Sequence, residues 1–164
     1  MKKLLLIALL GCVYGTVIHV PDDYDTIQEG INAAVESDTV LVDQGTYDEN
    51  LIIEKNITLT SNAIYDDLSE WVEFSVEWTL TEDAVNISNT TINGSLDTNG
   101  ANLQSVIYIN SPDECIEPVI FGFTITGGDG TLVTYEDEEG NEIQERRGGG
   151  FYSNTALPEL HYNY

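Results

Sequence analysis

The chain has 164 residues, enough for one domain with its own core, and its 41% hydrophobic content argues against a disordered chain. Its 29 acidic residues stand against 5 basic ones, which argues against nucleic acid and against an anionic membrane surface, since both need a basic face. With 2 cysteines and 2 histidines there is no disulfide framework and no Cys/His metal spacing.

Residues 1–15, MKKLLLIALLGCVYG, have two lysines, an apolar run and then small residues. This is the pattern of a short, bacterial-type secretory signal peptide. Leu4 to Leu10 is too short to span a bilayer. Val13-Tyr14-Gly15 predicts cleavage after Gly15, leaving 16–164 as the exported domain with no transmembrane segment. The alternative is that LLGC acts as a lipobox and Cys12 carries a lipid. Secretion or cell-surface display follows either way. Beyond the leader only Lys55, Arg146 and Arg147 are basic, and Cys115 is a lone thiol.

TVIHV, residues 16–20, reads as a short β-branched strand ending at Pro21. TIQEGINAAVES, residues 26–37, places Ile27, Ile31 and Ala34 on one helical face, with Thr26 and Glu29 as a capping box. Gly30 inside it costs about 1 kcal/mol relative to alanine. Short strands follow at 38–43, 51–54 and 57–61, separated by turn-forming residues. The stretch 64–89 is irregular and reads as a loop inserted onto the body through Trp71, Phe74 and Trp78. Strands resume at 89–95, 105–110, 118–128 and 148–154. Between the last two, TLVTY and EIQERR alternate around EDEEGN, which predicts a protruding β-hairpin with its tip near Gly140.

Each half of the chain offers three apolar strands: VLVD, LIIE and ITLT, then TTIN, VIYI and FTIT. Repetition of this kind predicts a solenoid in which one coil buries its inner face against the next. The opening segment, VPDDYDTIQEGINAAVESDTVLVDQGTYDENLIIEKNITLTS, resembles the start of secreted bacterial proteins of the pectin-lyase-like superfamily. VIFGFTITGG and GGGFY resemble their later coil motifs. The resemblance covers roughly residues 17–62 and 90–157. It implies an all-β fold, a right-handed parallel β-helix of about three coils with a short N-terminal capping α-helix. Enzymes of that superfamily have considerably more coils, so the chain is expected to be the N-terminal part of a longer protein.

The glycine clusters at 127–130 and 148–150 match neither a dinucleotide fingerprint nor a P-loop, and read as corners where the chain leaves and rejoins the stack. The acidic tip, Glu136, Asp137, Glu138, Glu139 and Glu142, offers hard oxygen ligands for Ca²⁺, although a solvated loop is the simpler reading. Asp22, Asp23 and Asp25, and Asp43, Asp48 and Glu49, cluster in sequence as candidate acid groups, but they also suit turns. Tyr108, Phe121, Phe123, Phe151 and Tyr152 lie in strands, where an exposed tyrosine can stack on a sugar but inward aromatics more often stack on one another; Phe123 reads as core, and Tyr152 is open between the two. The superfamily's methylesterases draw their catalytic aspartates and arginine from motifs absent here, so no catalytic or cofactor-binding residue is assigned. The expected function is an exported, non-catalytic scaffold with a polysaccharide or cell-surface glycan as candidate partner. The alternative is the N-terminal part of a polysaccharide-active enzyme, such as a pectate lyase, polygalacturonase or pectin methylesterase.

Overall fold

A computed structural model describes residues 15–68, 84–94 and 103–164. In chain order they form β1 (Val17–Val20), α1 (Ile27–Ala33), β2 (Thr39–Val42), β3 (Gly45–Tyr47), β4 (Leu51–Ile53), β5 (Thr58–Ser61) and a 3-10 turn (Asn62–Tyr65). Then come α2 (Val85–Asn89), β6 (Thr90–Asn93), β7 (Leu103–Gln104), β8 (Ile107–Asn110), β9 (Val119–Phe121) and β10 (Thr124–Thr126). The last elements are β11 (Gly130–Glu136), β12 (Glu142–Arg147), β13 (Phe151–Asn154) and β14 (Glu159–His161).

The strands sort into four short sheets. One has five parallel strands in the order β1-β2-β5-β9-β14. Two have three parallel strands each, β10-β6-β3 and β13-β8-β4. The fourth, β12-β11-β7, is antiparallel. Parallel neighbours need a long connection. Here those connections are α1 between β1 and β2, and strands belonging to the other sheets between β2 and β5.

These findings correct the fold expectation. The all-β right-handed parallel β-helix of about three coils is not what the described residues show; they show several short sheets, one antiparallel, with two α-helices and a 3-10 turn. One of the non-parallel features was expected and one was not. Residues 137–141 join β11 and β12 by a loop too short for a parallel crossover, so the pair closes as a hairpin with Glu136 opposite Glu142. Residues 85–89, which lay in the stretch read as a loop, form a helical turn whose Ile87 is buried with Ala63, Leu68 and Ala84 in a second small core. Trp71, Phe74 and Trp78 lie outside the described residues.

The main core takes alternate side chains from β1, β2, β4, β5, β6, β8 and β9, while the parallel edge strand β14 stays exposed. Val20, Val40, Leu59 and Ile120 come from the five-stranded sheet, and Leu51, Ile53, Ile107 and Ile109 from the sheet of β4 and β8. Phe123 is fully buried. α1 lies directly on β1 and β2: a Cβ at Gly30 would stand 3.0 Å from a Val20 methyl and 3.2 Å from a Val40 methyl. That close approach is why a helix of seven residues tolerates glycine in its middle. Gly122 breaks the apolar run 118–128 into β9 and β10. Its φ is +81°, and a Cβ there would meet the Ala63 side chain at 2.6 Å.

Candidate functional site

The opening motif is assembled around α1, and most of its polar atoms serve the backbone. At the N-terminus, Thr26 Oγ1 accepts from Glu29 N at 3.2 Å. Glu49, arriving from the turn before β4, accepts from Ile27 N and Gln28 N, both at 3.0 Å. A carboxylate there also complements the helix dipole. At the C-terminus, Lys55 Nζ donates to the carbonyls of Ile31 (2.9 Å), Asn32 (3.0 Å) and Ala34 (2.6 Å). Between them, the Gln28 amide pairs with β4 like a strand: Oε1 accepts from Ile52 N at 2.7 Å, and Nε2 donates to Ile52 O at 3.1 Å.

Asn50, next to Glu49, is buried, and its Nδ2 donates to the carbonyls of Gly94 (3.2 Å) and Ser105 (3.0 Å). Asn56 Oδ1 accepts from Glu117 N at 2.6 Å, joining two corners. Asp38 is buried and accepts from Thr16 N, Thr16 Oγ1 and Val35 N. The donated backbone N–H groups of Val35 and Thr16 hold its carboxyl below the usual value of 3.8.

A shallow groove of about 280 Å³ opens between α1 and β4, lined by Gln28, Ile31, Asn32, Ile52, Glu54 and Lys55. Ile52 stands opposite Tyr108, and Tyr108 opposite Tyr152, on neighbouring parallel strands. The groove therefore continues into a row of side chains on one face of the β4-β8-β13 sheet. The two tyrosine rings stack with centroids 5.6 Å apart and an interplanar angle of 8°. Both are half-exposed. Burial, and then the neighbouring Tyr152, raise the Tyr108 phenol above its ordinary value. Asn154 Nδ2 donates to Asn110 Oδ1 at 2.9 Å beside them.

The sequence-predicted carboxylates are not brought together. Asp23 accepts from His19 N, Asp43 from Asn62 and Asp48 from Asn93. In the hairpin tip, Asp137 closes its own turn: Oδ1 accepts from Glu139 N (2.9 Å) and Asn141 N (2.8 Å), and Oδ2 from Asn141 Nδ2 (3.0 Å). Those bonds hold its carboxyl below the usual range. Among the described residues no group of three or more His, Cys, Asp or Glu side chains is placed to hold a metal ion. Gly128 and Gly149 lie against one another where the hairpin leaves and rejoins the body. Cys115 is exposed.

The two arginines brace the hairpin. Arg146 donates to Gly130 O at 2.7 Å. Arg147 pairs with Glu145 and lies over the Tyr135 ring, 5.1 Å from its centroid. Sequence reasoning named Tyr108 only among the strand aromatics, left Tyr152 open between core and sugar platform, and missed Asn32 and Glu54. Their only signal was spacing: Asn32 follows Gln28 by one helical turn, and Glu54 follows Ile52 by two residues on the same strand face.

The chain matches no protein-family model, and no curated protein is similar to it. Among the described residues no helix is long and apolar enough to cross a membrane.

Proposed function

We propose that this chain acts as an exported, non-catalytic scaffold at the cell surface or in the extracellular space, with a glycan as its recognition partner. One observation carries the reading. The three basic residues beyond the leader are each engaged in holding the fold: Lys55 on the end of α1, Arg146 on Gly130 O and Arg147 on Glu145 and Tyr135. Glycan hydrolysis takes a pair of carboxylates with capacity left over, and lysis takes a free base or a metal; here Glu49, Asp38 and Asp137 accept from backbone N–H groups instead. The resemblance of the opening motif to pectin-lyase-like proteins and the leader-like residues 1–15 support export and a polysaccharide-rich setting.

The test is to express the full chain in a bacterial host, locate it by fractionation, and incubate the purified protein with a polysaccharide panel, with and without Ca²⁺. Export and binding without release of reducing ends or unsaturated products is the expected result. Retention in the cytoplasm would overturn the localisation, and cleavage of any polymer would overturn the non-catalytic reading.

A further inference from the structure

We infer that the groove between α1 and β4, together with the tyrosine ridge beside it, binds a neutral polysaccharide and discriminates against polyuronates. This rests on the glycan-binding reading above and assigns the residues and the charge class of the ligand.

The groove has the mixed chemistry that a pyranose requires. Ile52, part-buried and backed by the core residue Ile31, gives it an apolar floor for the C–H face of a sugar ring. Asn32 and Glu54 stand exposed at its rim, where amide and carboxylate groups meet ring hydroxyls. Beyond Ile52 the surface rises into the Tyr108–Tyr152 stack, one strand step per ring. β13 is the edge strand of its sheet. Tyr152 pairs with no further parallel strand among the described residues and is part-exposed, so its ring offers a rigid apolar platform at low entropic cost. A chain of linked rings laid across the strands meets the Tyr152 platform, the Tyr108 ridge and the groove in turn.

Charge decides the class of sugar. A uronate is favoured by a cation with a free N–H, and the cation that lines the groove is Lys55. Its ammonium carries three protons, and three carbonyls of α1 take them. Glu54 adds a negative charge at the rim, on a protein with 29 acidic and 5 basic residues. A polyanion is repelled and finds no counter-charge, whereas a hydroxyl donor is welcomed by the Glu54 carboxylate.

Binding of the full chain to neutral glucan, galactan and xylan and to polygalacturonate, by affinity electrophoresis and calorimetry, tests the inference. Tyr152→Ala and Asn32→Ala are compared with wild type, and thermal melts confirm folding. Asn32 is exposed, and its Oδ1 accepts from the Gln28 side chain and not from a backbone group, so its variant stays informative if Tyr152→Ala melts early. The expected result is binding to at least one neutral polymer, weakened about tenfold or more by each substitution, with no binding to polygalacturonate. Unchanged affinity in both folded variants would overturn the site while leaving glycan binding intact. Preference for polygalacturonate would overturn the charge argument. Binding to no polymer would overturn the glycan reading itself.

Discussion

Replacing Lys55 with methionine removes the three hydrogen bonds that close the C-terminal end of α1 and keeps most of the apolar stem. The helix has no basic residue of its own in its last turn, so Lys55 is its positive cap as well as its donor. A hydrogen bond from a charged donor is worth roughly 1.5–3 kcal/mol where a buried acceptor is left bare. The groove is open, and water takes over the orphaned carbonyls, which brings the net loss to about 1 kcal/mol per bond or less. Lys55→Met is therefore expected to cost about 2–3 kcal/mol, a large share of the roughly 5–15 kcal/mol that holds a domain together. For a chain of this size that is a fall in Tm of about 5–10 °C. Urea unfolding followed by circular dichroism, with the slope checked for constancy, measures it. A loss below about 0.5 kcal/mol would refute the structural role. It would also free the lysine for chemistry, which the proposed function excludes.

Three further outcomes are expected. Asn50→Ala strands the Gly94 and Ser105 carbonyls inside the protein and should cost about 2–4 kcal/mol by urea unfolding; a change within error would show that water replaces the amide. Phe123→Ala empties a fully buried site and should cost about 3–5 kcal/mol, read as an early melt with a native-like spectrum at low temperature. Asp38, with its carboxyl held below 3.8 by Val35 N and Thr16 N, binds its proton more weakly folded than unfolded. Its contribution is fully present well above pH 3.8 and is lost as pH falls through the lower folded value, so Asp38→Asn should flatten the wild-type loss of stability below about pH 4. An unchanged acid limb in the variant would sink that assignment.

The legible parts of the fold were those in which local chemistry and tertiary demand agree. TVIHV, DTVLVD and ITLTS are short β-branched runs that each send side chains into the main core, so they pointed to strands that exist. The 131–147 hairpin was legible because alternation flanks a turn whose Asp137 closes it unaided. The arrangement of strands into four sheets was not legible. β3 hides in QGTYDEN, a stretch of turn residues, and pairs because β6 lies beside it, with Thr46 opposite Thr91. α2 has no side-chain cap and no basic residue in its last turn; packing against Ala63 and Leu68 accounts for it, and sequence periodicity does not report such distant contacts.

The same distinction explains why the opening motif speaks clearly about structure and hardly at all about ligand. Gln28, Glu49, Asn50 and Lys55 direct polar atoms at named backbone groups. A residue used this way reports the distance between a helix end and a strand, and any chain that docks a helix at that distance has use for it. A ligand must instead be met by side chains with capacity left over. Around α1 those are Glu54 and the Nδ2 of Asn32, whose Oδ1 accepts from Gln28 Nε2 at 3.0 Å, with Tyr108 and Tyr152 beside them. If recognition were carried by the motif itself, Glu49→Gln would abolish it while barely moving stability. If the division argued here holds, Glu49→Gln weakens the α1 cap by about 1 kcal/mol and leaves binding unchanged in the folded fraction, whereas Asn32→Ala does the reverse.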